Sequence, residues 1–428
     1  MILILGAGLT GLAAAYFLKG RDYLVIEKEN EPGGLCRTTE CNGFYFDFTG
    51  HFLHLRDETI RELVFDLLPD GWLEAKRASF IHYRGVYTPY PFQAHTYGLP
   101  LDVVRECLIG FIEAREEKSA AAGKYKNFKE WVEARFGKGF ARHFFLPYNY
   151  KLWHTPLEDI TTEWVDWAVP TPTAAEVVDG ALGTGQAHLG YNASFYYPLQ
   201  GGIGTFTSAL AGRVAHLETG KEVVAVDHRN KTAHCKNGDA LRYDVLVSTL
   251  PLKKLLEITR GIPEALKQDG EKLRYASVFN LNLGLDRKDD TGRHWIYFPE
   301  KAFPFYRIGY PSNISEAVAP PGTTSLYIEV SHLPETPLDE ETTVEGCIEQ
   351  MKQLHIIRPE DKVIAKEVKH IPYAYVIHDR RRLRCLAPIL TALKEAGIYS
   401  IGRYGSWEYS FMEKSLLAGK NLAETLAP

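Results

Sequence analysis

The first apolar run, Ile2 to Leu5, is short and unbroken, the pattern of a buried strand. Helix formers continue from Leu12 to Leu18 after a glycine-rich break, and a second apolar run, DYLVIEK, ends in the acid Glu27. The chain thus opens as strand, turn, helix, strand and acid. The opening run has no positively charged leader, so it predicts a strand and not a secretion signal. Residues 101–122, LDVVRECLIGFIEAREEKSAAA, predict an amphipathic helix, and NFKEWVEARFG with its continuation to Phe145 predicts further helices. Beyond them FYYPLQGGIGTFTSALAGRV reads as a glycine turn entering a helix, followed by the strand-like runs EVVAVDH, KTAHCKNG and YDVLVSTLP. A second set, SVFNLNLGL, HWIYFP, PFYRIGY and TSLYIEVS, predicts another sheet, with a helix near 339–355 after it. The chain closes with GIYSIGRYG, a strand ending in glycine, and a helix over SFMEKSLLAGKNLAETLA whose N-terminus could face a ligand.

The break between the first strand and helix fits G-x-G-x-x-G through Gly6, Gly8 and Gly11. In that pattern the first glycine makes the tight turn. The second lets backbone N–H groups approach a pyrophosphate at the positive helix end, and the third lets helix and strand pack closely. The glycines alone are a weak signal. Glu27 strengthens it, because an acid at this distance is where a ribose-binding carboxylate belongs.

A length of 428 residues is too great for one simple core and predicts two or three domains. No run of eighteen apolar residues lacks polar breaks, so no transmembrane helix is predicted. A net charge of −5 argues against general nucleic-acid binding. The six cysteines lack C-x-x-C spacing and the histidines lack H-E-x-x-H spacing, which predicts no metal site and fits a reducing cytoplasm.

After the second strand comes ENEPGGLCRT, and here the chain resembles the flavin-binding superfamily of amine oxidases, protoporphyrinogen oxidases, phytoene desaturases and UDP-galactopyranose mutases. Gly33, Gly34 and Arg37 match that superfamily's G-G-x-x-R-[ST] element, where paired glycines lie against FAD and a guanidinium offsets pyrophosphate charge. The resemblance implies an α/β fold: a Rossmann-like FAD-binding domain of the GR2 type, interleaved with a mixed-sheet substrate domain and a helical subdomain. The expected division is 1–75, 196–260 and 395–428 for FAD, 76–100 and 270–394 for the substrate sheet, and 101–195 for the helices. FDFTGHFLH resembles a flavin-facing loop and nominates Gly50 and His51, with Thr49 where a glycine is usual. EVVAVDH, through Val224, is similar to the adenine-side strand. GRYGSWEYSFM resembles the C-terminal element and nominates Gly402, Arg403, Phe411 and Met412.

Within the superfamily the likeness is strongest to the UDP-galactopyranose mutases, through YTPYPFQ, LPYNYKLW, YFPEKAFPFYR and GRYGSWEY. That resemblance implies a substrate pocket lined by Tyr90, Phe92, Gln93, Asn149, Trp153, Tyr297, Arg307, Tyr375 and Tyr409, with His51, Arg307, Tyr375 and Tyr409 catalytic. It also implies FAD as cofactor, NAD(P)H as a candidate transient reductant and a nucleotide sugar as substrate. One feature of the mutases is missing: TEWVDWAVPTPT has no arginine where they carry a second diphosphate contact, the position falling on Trp167 or Ala168. Arg380, Arg381, Arg382 and Arg384 are candidates to replace the charge. The alternatives are an amine-oxidase or protoporphyrinogen-oxidase type of oxidoreductase acting on a small organic substrate, and a non-enzymatic binding protein like the Rab GDP-dissociation inhibitors.

Overall fold

The computed structural model describes residues 1–117, 125–165, 169–185 and 193–426. Its opening apolar run forms the strand Ile2–Leu5 at the centre of a five-stranded sheet. Val245–Ser248 and then Ile398–Ser400 lie on one side, Tyr23–Ile26 and then Leu217–Glu218 on the other. All four pairings are parallel. A parallel sheet is covered on both faces, which is why Ile2–Leu5 is a continuous apolar run with every residue buried.

The helix Leu9–Phe17 packs against the C-terminal helix Met412–Thr425 at very short range. A Cβ on Gly419 would lie 2.5 Å from the Ala14 nitrogen, so only glycine lets the two backbones approach this closely. The small residues Ala13, Ala14 and Gly419 thereby bring the two ends of the chain together. The helix Arg380–Glu395 buries Cys385, Ile389 and Leu393 in the same core as Leu246 and Ile398, on the side of this sheet.

A second, seven-stranded sheet runs in the order Val363–Val376, Tyr275–Leu285, Thr324–His332, Arg307–Gly309, Trp295–Tyr297, Ser79–Tyr83 and Val86–Pro89. Its two faces differ in chemistry. Leu281, Ile308 and Ile328 are in register and pack with Val344, Cys347 and Met351 of the helix Glu340–Gln353. On the opposite face the alternating positions are polar: Asn280 and Asn282, Tyr327 and Glu329, and Arg307. A polar sheet face that is nonetheless buried marks where this domain meets a site.

The helical region contains Leu101–Glu117, Phe128–Phe140, one wider turn at Ala141–Phe145, and Leu146–Trp153. The remainder of the helix expected over 101–122 lies outside the described residues. At Gly137 φ is +83°, and a Cβ there would lie 2.0 Å from the Gly110 carbonyl oxygen, so glycine is required both for the kink and for the helix contact. Phe128, Trp131, Phe136, Phe140, Phe144 and Phe145 fill the core beneath. Among the described residues no helix is long and apolar enough to cross a membrane.

Candidate active site

The turn after the first strand is built from backbone. Gly6 has φ +96°, and a Cβ on Gly11 would stand 2.0 Å from the Gly6 carbonyl oxygen, so the two glycines create the turn together. Gly8 caps the helix Leu9–Phe17 without any side-chain acceptor, which leaves the first-turn N–H donors free for an anion. Gly33 and Gly34 lie directly against this turn: the Gly33 N–H donates to the Ala7 carbonyl at 2.8 Å, and a Cβ on Gly34 would lie 3.0 Å from Gly8 Cα. Glu27 sits buried at the end of its strand, accepting from the Ala7 N–H at 2.7 Å and the Glu29 N–H at 3.0 Å. Each carboxylate oxygen keeps lone-pair capacity for a hydroxyl. Arg37 donates from Nε to the Gly34 carbonyl at 2.9 Å and stacks over Phe48 at 5.2 Å. Val224 is exposed at a register shift in its strand, three residues after Lys221, whose N–H donates to the Glu27 carbonyl.

The C-terminal element closes on the same place. Gly402 has φ +80°, and a Cβ there would lie 2.6 Å from Thr10 Oγ1, at the first turn of the opening helix. Arg403 follows, with its Nη2 donating to the Ala374 carbonyl at 2.7 Å and its Nη1 to the Ser410 carbonyl. Among the described residues it has no carboxylate within 4 Å, so its positive charge is available to a ligand. Phe411 caps the helix Met412–Thr425 with no side-chain acceptor. A glycine turn, an acid at a strand end, a helix start without a side-chain cap and a half-buried guanidinium with no carboxylate partner fit an adenine dinucleotide with a flavin ring. Glu27 would take ribose hydroxyls, the Gly8 turn the pyrophosphate, and the Gly50–His51 and Gly402–Arg403 segments the ring.

Asp47 organises the loop that carries His51. It accepts from Thr38 Oγ1 at 2.5 Å, the Tyr197 hydroxyl at 2.7 Å and the Ile203 N–H at 3.1 Å, while burial pushes its pKa up to about 6. Gly50 must lack a side chain because a Cβ would lie 2.4 Å from the Tyr327 hydroxyl. His51 Nδ1 lies 3.4 Å from Thr49 Oγ1, so the threonine that replaces a glycine here faces the imidazole. Burial, helped by the charges of Arg403 and Arg307, lowers the His51 pKa to about 4, leaving the ring neutral at ordinary pH.

From this loop a continuous wall of aromatic rings runs through the predicted substrate residues. Tyr90 meets Tyr297 at 5.3 Å, Tyr297 meets Tyr148 at 5.5 Å, and Tyr148 meets Tyr306 at 6.4 Å. The Tyr306 and Tyr375 hydroxyls are 3.3 Å apart, Tyr375 stacks on Tyr409 at 6.2 Å, and the Arg403 guanidinium covers both at 5.5 Å. Trp153 packs edge-on against Tyr375 and Tyr409. Burial raises the pKa of each of Tyr90, Tyr148, Tyr306, Tyr375 and Tyr409, so these phenols remain O–H groups.

Three predicted pocket residues act as supports. Phe92 is fully buried and stacks on Phe144 at 5.2 Å. The Gln93 amide donates to the Pro170 carbonyl at 2.6 Å, and the Asn149 amide donates to the Phe145 carbonyl at 2.8 Å while its oxygen accepts from Trp153 Nε1 at 3.3 Å. Trp167 and Ala168 lie outside the described residues. The arginine run does not act as one patch: Arg380, Arg381 and Arg384 are exposed, whereas Arg382 is buried and turned inward to Glu163 and the Trp407 carbonyl. Helical spacing separates them, since only Arg382 shares a face with Cys385 and Ile389.

Sequence reasoning missed Tyr148, Tyr306 and Glu329. Glu329 has zero exposure and clasps Arg307 through two hydrogen bonds, to Nε and, at 2.7 Å, to Nη2. The available signal was an acid inside the otherwise apolar strand TSLYIEVS. The pairing occupies one edge of the guanidinium and compensates its charge, leaving Nη1 as the group a substrate anion could add.

A family model for flavin containing amine oxidoreductase matches residues 9–427. A solved structure of reduced UDP-galactopyranose mutase is similar with a TM-score of 0.94 at 30% identity, covering 99% of this chain and 93% of that one. A redesigned putrescine oxidase shares the fold, with a TM-score of 0.71 at 15% identity over 99% of this chain and 98% of that one. Among curated relatives, an inactive all-trans-retinol 13,14-reductase of Danio rerio is 34% identical over 73 residues, 16% of this chain. The match spans only 12% of that relative's length.

Proposed function

The chain belongs to the flavin containing amine oxidoreductase family, and from that premise we propose that it is an FAD-dependent mutase of a nucleotide-activated sugar. It is a flavoenzyme with the mixed α/β architecture of the amine oxidases and UDP-galactopyranose mutases. The observation that carries the sugar reading is the wall from Tyr90 to Tyr409 with Arg307 beside Tyr297 in register. Ring faces suit a nucleoside base, and protonated phenols can donate to phosphate and sugar oxygens.

Reduced flavin, when bound, would supply an electron-rich ring nitrogen as the nucleophile, and NAD(P)H is the proposed source of its electrons. The protein's part is orientation and charge. Arg307 Nη1 and the Tyr375 and Tyr409 hydroxyls hold the departing diphosphate, which keeps it close for return. Neutral His51 orients the ring-facing loop by hydrogen bonding and adds no charge. Trp153 and Trp164, both buried, exclude water from the reacting carbon.

A second reading, oxidation of a small organic substrate, is favoured by one observation: Glu329 compensates Arg307, and residues 166–168 bring no arginine to help it. One assay separates the two. The purified yellow protein, reduced without oxygen, is given UDP-galactopyranose and UDP-galactofuranose. Interconversion is the expected result. No interconversion, together with bleaching of the oxidised flavin by an amine or hydrocarbon, would favour the oxidase.

A further inference from the structure

Trp407, within the element GRYGSWEY, is fully buried and has a φ of +48°, a left-handed backbone that costs a residue with a side chain. Two residues later the chain delivers Tyr409 into the aromatic wall. Two residues of one other stretch, 378–382, hold this backbone from outside. Arg382 Nε donates to the Trp407 carbonyl at 2.7 Å, and the Tyr409 N–H donates to His378 Nε2 at 3.0 Å. Both partners converge on one carboxylate: Arg382 Nη1 lies 3.2 Å and His378 Nδ1 3.5 Å from Glu163 Oε1. Thr161 fixes the histidine backbone, donating from N and Oγ1 to the His378 carbonyl at 2.7 and 2.9 Å.

The chemistry of the imidazole follows from these contacts. Nε2 accepts from an N–H, so the ring proton of the neutral form is on Nδ1, facing Glu163. Trp164, next to Glu163 in sequence, packs on the Tyr409 ring at 5.8 Å. One short segment therefore supports both the backbone and the ring of Tyr409.

We propose that His378 is a positioning residue, oriented by Glu163, which locks the Trp407–Tyr409 backbone and so sets Tyr409 in the substrate wall. The proposal rests on the reading of Tyr409 as a substrate-contacting group. Its structural half can be measured without any substrate.

Glutamine and asparagine divide the role of the histidine. His378→Gln can place its oxygen near Nε2 and keep an acceptor for the Tyr409 N–H, whereas His378→Asn places its polar group near Nδ1 and leaves that N–H without a partner. The experiment is amide hydrogen exchange on the FAD-loaded parent and both variants, with UDP affinity measured on the same samples. In the parent the Tyr409 amide should be strongly protected. In His378→Asn its exchange should rise about 10-fold, the loss of one buried hydrogen bond, while His378→Gln should stay within about 3-fold of the parent. UDP affinity should fall in the same order. Equal exchange in the two variants would overturn the proposal. So would fast exchange of Tyr409 in the parent, a result that stands even if a variant fails to fold. Exchange in the predicted order with no UDP binding by the parent would leave the lock in place but remove it from a nucleotide-sugar site, which is a failure of the functional reading alone.

Discussion

Gly8→Ala is expected to fold like the parent protein and to lose FAD. Gly8 has φ −71° and ψ 176°, a conformation open to alanine, and a Cβ there would meet nothing nearer than Gly34 Cα at 3.8 Å. The substitution therefore costs the fold little. The added methyl would nevertheless stand on the surface where the first-turn N–H groups converge, and a pyrophosphate needs that surface bare. FAD should bind at least about 100-fold more weakly, a loss of about 2.7 kcal/mol, measured by absorbance titration alongside a thermal melt. Gly11→Ala is a less informative change because its Cβ would strike the Gly6 carbonyl at 2.0 Å and damage the turn itself. Parent-like FAD affinity in Gly8→Ala would mean that the turn does not hold the cofactor.

Arg307→Ala should have the other large effect, and it should appear in two measurements for two reasons. Glu329 would be left fully buried without its partner, and an uncompensated buried charge costs about 3–5 kcal/mol in stability. The same change would remove the proposed diphosphate contact, worth about 2 kcal/mol or more, which is about 30-fold in nucleotide-sugar affinity. Adding Glu329→Gln separates them. The double variant should recover most of the lost melting temperature and none of the lost affinity. A double variant that binds the nucleotide sugar like the parent would show that Arg307 makes no contact with the diphosphate, and the oxidase reading would then lead.

The parts of the site that could be read from the sequence are those whose geometry is local. Gly6, Gly8, Gly11 and Glu27 lie within one strand–turn–helix–strand unit, where spacing along the chain fixes spacing in space. Gly33, Gly34 and the Gly402–Arg403 turn are recognisable for a similar reason, since each is a short backbone element with positive φ. Glu329 and Tyr306 were not legible because strand register sets their positions: Arg307 meets Glu329 only when the strands Arg307–Gly309 and Thr324–His332 align. The arginine run could not be sorted from the sequence because adjacent residues on a helix diverge, and only packing at Cys385 and Ile389 shows that Arg382 is the inward one. Asp47 was visible only as part of FDFTGHF. Its role depends on Tyr197 and Ile203, 150 and 156 positions away.

The most direct test of the account is a crystal structure of the protein with FAD. The prediction is one FAD held at both ends of the chain, with its ribose on Glu27, its pyrophosphate over Gly8, and its ring between the Gly50–His51 loop and Arg403. Density for FAD elsewhere, or these two turns unchanged and bare in crystals saturated with it, would contradict the claim that the two ends of the chain form one flavin site.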